Sequence, residues 1–307
     1  MKKKNRSRKY ILLGLGAVAT AAAFVAIKQR VRKSTVYQSF DLKIPSKRLT
    51  DIVCTINLPQ TEGAMPLVIF THGFGADRHE GGRFTQVADK LATKGIASIR
   101  MDFPGCNEST ESFTAFAIRN LLDDLITCVD HMINNYDIDQ EHMGIVGYSM
   151  GGRLATLYSR LNPNIKTMAL WAPALTKGMS GLEDSMGGAD KLNEMIKEAQ
   201  TNGSVKYNDL FGGQKELSKE YFMDMEAHDV LKALSHYKHN LLIVQGNEDD
   251  IVRPDVIDKA LTHINKECHF NYLYMDHANH GFGLWDDHPE QSEKLVKETI
   301  KFIERHL

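Results

Sequence analysis

The 307-residue chain is sparing with several residue types that build specialised proteins: 4 cysteines, 8 prolines and 2 tryptophans, at a formal charge of only −2. Cys54, Cys106, Cys128 and Cys268 lie far apart, with no C-x-x-C pair and no histidine at metal-ligand spacing. That spacing argues against a disulfide-built scaffold and a zinc site, and no metal is expected. The four read as free thiols, although spacing alone leaves any pairing open. Few prolines, 42% hydrophobic residues and 25% charged residues exclude disorder and collagen-like repeats. Long apolar runs are also missing, apart from one near the amino terminus, which excludes a many-span membrane protein. A length near 300 permits one large α/β domain or two small ones, and either buries a sizeable core.

The near-neutral total hides a partition. Ten basic side chains and no acid fall in the first 33 residues, leaving 27 basic against 39 acidic side chains in the rest. So acidic a body is a poor match for the nucleic-acid backbone, and no nucleic-acid partner is expected. The basic residues flank an uncharged run at 10–27 (YILLGLGAVATAAAFVAI). Eighteen helical residues reach about 27 Å, barely a bilayer core. An uncleaved signal anchor, here a single transmembrane helix, fits the basic flanks on both sides. A cleaved signal peptide fits the basic start and the small residues Ala19, Ala21 and Ala23. Six positives before the run against four after it place the amino terminus in the cytoplasm and the body outside. The expectation is a membrane anchor or signal segment with its basic linker over 1–35 and a catalytic domain over 36–307. Its location is the cell membrane, single-pass with the body extracytoplasmic, or else secreted after cleavage.

Beyond the linker, β-rich runs occur at 38–44, 51–58, 67–71, 96–102, 143–147, 167–171, 240–245 and 269–275. From the third onward they alternate with helical stretches at 84–94, 115–134, 151–161, 255–264 and 290–306. Runs such as Leu67-Val68-Ile69-Phe70 are apolar at every position, the mark of strands covered on both faces. The pattern predicts an α/β fold, a mainly parallel eight-stranded sheet with helices on both faces. Residues from about 174 to 233 break the rhythm. They are too many for one crossover and are expected to form a cap.

Gly147-Tyr148-Ser149-Met150-Gly151 is a G-x-S-x-G between a strand and a helix. Glycines on both sides let a serine sit on a sharp, strained turn with its hydroxyl exposed near a helix amino terminus. Such a nucleophile needs a base, and the base an orienting acid. Asp249 and Asp250 follow one later strand, and His277 and His280 follow the last. The order Ser, Asp, His is that of the α/β hydrolases.

These motifs resemble the α/β-hydrolase superfamily, and more narrowly bacterial serine carboxylesterases of the cinnamoyl/feruloyl-esterase type, from about residue 36 to the end. His72-Gly73-Phe74-Gly75 resembles the oxyanion turn, and Asp102-Phe-Pro-Gly105 with Ser109 the family's D-x-x-G-x-x-x-S segment. Gly246-Asn-Glu-Asp249 resembles the acid loop and Ala278-Asn-His280 the histidine loop. The cap stretch from Tyr207 to Tyr221 is similar more loosely. The resemblance implies Ser149 as nucleophile, His280 as base and Asp249 as its orienting acid, in preference to His277 and Asp250. It implies the N–H groups of Phe74 and Met150 as oxyanion donors, and no cofactor. His72 and Asp102 are expected to fix their own loops. Tyr221 and Trp285 are candidates for the substrate pocket, with packing an equal alternative. The expected activity is hydrolysis of a small-molecule carboxylic ester through an acyl-enzyme. The rival is a serine peptidase of the aminopeptidase kind, for which Glu183, Asp184 and Asp209 offer cap acids.

Overall fold

A computed structural model of the chain describes residues 37–209 and 213–307. The run at 10–27 and its expected role as an anchor lie outside the described residues. Among the described residues no helix is long and apolar enough to cross a membrane.

Eight strands form one sheet: β1 (Tyr37–Pro45), β2 (Asp51–Pro59), β3 (Met65–Thr71), β4 (Ala97–Met101), β5 (Ile138–Tyr148), β6 (Ile165–Trp171), β9 (Asn240–Gly246) and β10 (His269–Met275). Their order is β1-β2-β4-β3-β5-β6-β9-β10. The pairs β1–β2 and β2–β4 are antiparallel, and all others are parallel. The predicted eight-stranded, mainly parallel α/β-hydrolase sheet is therefore present.

Its central strands are apolar at every position because both faces are covered. Leu67 and Ile69 of β3 face one core and Val68 and Phe70 the other. On the second face lie α1 (Arg83–Ala92) and α8 (Pro289–His306). On the first lie α2 (Ile118–Asn135), α3 (Met150–Leu161), α6 (Val230–His236) and α7 (Pro254–Leu261). Helix α8 is fastened to the sheet by the buried Trp171, whose indole N–H donates to Thr299 Oγ1 at 2.9 Å. Boundaries differ from expectation where turn chemistry decides them. The helix expected at 115–134 begins at Ile118, because Phe113–Ala115 is a 3₁₀ turn capped by Ser112. The helix expected at 84–94 ends at Ala92, because the chain turns through Gly95 at φ +84°.

The cap holds α4 (Ala189–Asn202), an antiparallel ribbon of β7 (Ser204–Asn208) and β8 (Gln214–Ser218), and α5 (Lys219–Ala227). Helix α6 packs against α3 in the body. Arg153 on α3 fastens the cap. Its buried guanidinium donates to Thr176 O at 2.8 Å on one cap root and to Met225 O at 2.8 Å on the other. Desolvation lowers its pKa to about 10. Asp224 on α5 accepts from Arg119 N at 2.9 Å, tying the cap to the first turn of α2. All four cysteines are free, with Cys54 and Cys128 sulphurs 3.5 Å apart in the core.

Candidate active site

Four loops leave the carboxyl ends of β3, β5, β9 and β10 and converge there, the edge where parallel sheets present their functional groups. The loop after β5 is the sharpest. Ser149 has φ +53° and ψ −117°, a backbone conformation that non-glycine residues seldom adopt. Its glycines are required by close approach. A Cβ on Gly151 would lie 1.9 Å from Thr71 O, and one on Gly147 would lie 2.5 Å from Gly151 O. The turn sets the Ser149 side chain at the amino terminus of α3, where backbone N–H groups point outward.

The loop after β10 carries His280 to the serine, with Nε2 3.0 Å from Ser149 Oγ. Its Nδ1 lies 2.7 Å from Asp249 Oδ2, on the loop after β9. Asp249 is itself held on both oxygens. Oδ1 accepts from Val252 N at 2.8 Å and Ile251 N at 3.0 Å, and Oδ2 also accepts from Gln245 Nε2 at 3.0 Å. With an acceptor oxygen of Asp249 facing Nδ1, the His280 proton sits on Nδ1 and Nε2 is open to the serine hydroxyl. The neighbouring residues go elsewhere. His277 points outward to Glu248 Oε1 at 2.9 Å, and Asp250 is exposed.

The turn after β3 holds two more of the expected residues in a fixed frame. The backbone N–H of Phe103 donates to His72 Nε2 at 3.1 Å, which leaves the proton on Nδ1, and Nδ1 then donates to Gly73 O at 2.8 Å. In a trans peptide the N–H points opposite the C=O. Holding the Gly73 carbonyl therefore turns the Phe74 N–H the other way. Burial pushes the His72 pKa down, so it acts as a neutral strut. The N–H groups of Phe74 and Met150 have no acceptor among the described residues. Asp102 is buried and accepts from Arg78 N at 2.9 Å and from Asn107 Nδ2 at 3.1 Å, fixing its own loop.

Between these loops and the cap lies a cavity of about 340 Å³. Ser149, His280, Phe74 and Met150 line its floor, and Tyr221 and Trp285 stand in its walls. Phe74 is wedged between body and cap, with ring centroids 5.2 Å from Phe113 and 5.8 Å from Tyr221. Of the cap acids, Asp209 reaches the cavity and lies 3.6 Å from Lys215 Nζ. Asp184 pairs with Arg253 at 2.5 Å, and Glu183 accepts from Gly181 N at 2.7 Å. Among the described residues no group of three or more His, Cys, Asp or Glu is placed to hold a metal ion.

Sequence reasoning overlooked Glu80, Arg83, Tyr148 and Gln245. Tyr148 Oη donates to His280 O at 2.9 Å, and Arg83 Nη1 donates to Gly281 O at 2.7 Å. An acid and an arginine bracketing Gly81-Gly82, just past the oxyanion turn, was the available signal.

A sequence-family profile described as "Serine aminopeptidase, S33" matches residues 63–224, more than half of the chain. The chain belongs to this serine-aminopeptidase family of α/β hydrolases. No curated protein matches it. Among solved structures, this hydrolase is similar to Est1E from Butyrivibrio proteoclasticus, determined with ferulic acid bound. The TM-score is 0.68 at 19% identity, covering 85% of this chain and 99% of that one. It is likewise similar to a hydrolase from Agrobacterium vitis (TM-score 0.69, 19% identity, 87% and 99% covered). An esterase domain from Rhodothermus marinus gives TM-score 0.64 at 16% identity, with 88% and 99% covered. At these identities the likeness is one of fold.

Proposed function

We propose that the hydrolase is a serine esterase that cleaves carboxylic esters through an acyl-enzyme. The observation that carries the reading is the unbroken relay from Asp249 through His280 to Ser149, at 2.7 and 3.0 Å, on the floor of the cavity. Ser149 Oγ attacks the ester carbonyl as His280 Nε2 takes its proton. The oxyanion is received by the N–H groups of Phe74 and Met150, each worth about 3 kcal/mol of transition-state stabilisation. Collapse expels the alcohol, which takes the proton back from His280. Water activated by the same imidazole then releases the acid. Asp249 keeps the imidazole in the productive tautomer and stabilises its charged form.

The walls favour an apolar or aryl acyl group, since Phe74, Tyr207, Tyr221 and Trp285 supply the ring surface. The ferulic acid of the Est1E complex points the same way. The aminopeptidase reading draws support from the family's description and from Asp209 on the cavity wall. Its weakness is that Asp184 and Glu183 are engaged away from the floor, and that Lys215 stands beside Asp209. A hydrolysis screen of aryl esters, short-acyl esters and aminoacyl amides separates the two. The esterase reading expects turnover of esters that Ser149→Ala abolishes; turnover of aminoacyl amides alone would replace it with the peptidase. We further read 10–27 as a single membrane anchor that leaves the catalytic body outside the cytoplasm.

A further inference from the structure

The mechanism uses three side chains, and a fourth ionisable group stands near the floor. Glu80 lies in the loop after β3, 4% exposed, and lines the cavity. Its backbone is in the left-handed region at φ +49°, pinned by Asp77 Oδ1, which accepts its N–H at 3.1 Å. One carboxylate oxygen, Oε2, accepts from Gly73 N at 3.0 Å. The other, Oε1, lies 3.6 Å from Arg83 Nη2. Gly73 precedes Phe74, an oxyanion donor. Arg83 holds the Gly281 carbonyl beside His280 and stacks under the Tyr148 ring at 5.1 Å.

We propose that Glu80 is a positioning residue that locks the oxyanion turn and the histidine loop into one register, through Gly73 N–H on one side and the Arg83–Gly281 link on the other. This rests on the esterase reading for its meaning but not for its test.

The oxyanion donors and the imidazole sit on different loops, and transfer from one to the other tolerates little misplacement. A buried arginine adjoining a strained turn is stable in place when a carboxylate faces it. Ionised Glu80 accepts from the Gly73 N–H with one oxygen and faces the Arg83 charge with the other, whereas a protonated carboxyl gives up the charge that faces Arg83. The groups around it are Asp77 from its own loop, Arg83 from α1, Tyr148 from the end of β5 and, across the Tyr148 ring, His280. Burial outweighs Arg83 and raises the Glu80 pKa to about 7. The lock therefore loosens as the solution becomes acid.

The test compares the full-length parent with Glu80→Gln, which keeps the shape and removes the charge. With an aryl ester, kcat is expected to fall about tenfold or more while KM stays within about threefold. The acid limb of kcat/KM should steepen to two protons in the parent and return to one in the variant. Independently of turnover, 15N-glycine labelling reports both ends of the link. The Gly73 and Gly281 amides should move together in one titration near neutral pH in the parent, and neither should do so in the variant. A Gly73 amide that titrates while Gly281 stays still overturns the proposal, as does a variant with the parent's kcat and acid limb. If the parent shows no Ser149-dependent turnover, the esterase reading falls and the paired glycine titration still decides the role of Glu80. If the variant fails to fold, the same titration in the parent decides it.

Discussion

The body and the cap of this hydrolase are built on different terms. In the body, each group near Ser149 is held by at least one further bond: Asp249 by Gln245 and two backbone N–H groups, His72 by Phe103, and the histidine loop by Tyr148 and Arg83. The cap is held in another way. It leans on an aromatic contact at Phe74 and is fastened at its roots by Arg153 and Asp224. Chemistry is thus concentrated where the backbone is over-determined, and shape where side chains meet across a seam. One fold can keep its reaction while changing its substrate.

Substitutions on the floor sharpen this contrast most. His280→Ala is expected to lower kcat by about 10⁴-fold or more, and Asp249→Asn by a comparable factor, because the relay acts as a unit. His277→Ala and Asp250→Asn, three positions and one position away in their loops, should stay within about threefold of the parent. Steady-state kinetics on an aryl ester checks all four, and a reversed ranking in either pair would assign the role to the other residue of that pair.

The next largest effect concerns the roots of the cap. Arg153→Met leaves the carbonyls of Thr176 and Met225 buried without their donor, at about 1–3 kcal/mol each. A melting temperature lower by roughly 5–10 °C is expected. KM should rise more than kcat falls, since the cap shapes the cavity while Asp249 and His280 keep their own bonds in the body. A variant that loses kcat at unchanged KM would show the two regions to be one unit.

A smaller effect links Glu80 to stability. Its pKa is raised from 4.5 to about 7 in the fold, so between those values the folded state binds more proton than the unfolded one. Stability contributed by this group is full below pH 4.5 and is lost as pH rises through 7. Asp124, raised from 3.8 to about 6 by burial, acts in the same sense, while buried His72 acts in the opposite one. The difference between melting curves of the parent and Glu80→Gln isolates the group. The variant should gain stability relative to the parent as pH rises from 5 to 8, and a constant difference would remove Glu80 from the balance.

The contrast between body and cap also explains what the sequence made legible. The strands of the sheet were readable because apolar residues at consecutive positions have few other uses. Ser149, Asp249 and His280 were readable because their motifs need glycines and strand ends. The β7–β8 ribbon was not, since it is short, half-polar and stabilised by contacts to Phe74 and Phe113 that are remote in sequence. Glu80 and Arg83 were missed for a related reason. Their meaning lies in Gly73 and Gly281, and nothing in a single acid or arginine names its partner. The amino-terminal reading rests on sequence alone. Removing residues 1–33 should give protein of unchanged kcat that no longer pellets with membranes, whereas pelleting of the truncated form would assign membrane attachment to the body.

The central claim, that Ser149 is a nucleophile activated by its relay, is tested most directly by reaction with a fluorophosphonate followed by peptide mapping. One phosphonyl adduct per chain is expected on the peptide holding Ser149, none in Ser149→Ala, and labelling slowed by orders of magnitude in His280→Ala. An unlabelled parent, or an adduct on another residue, would contradict it.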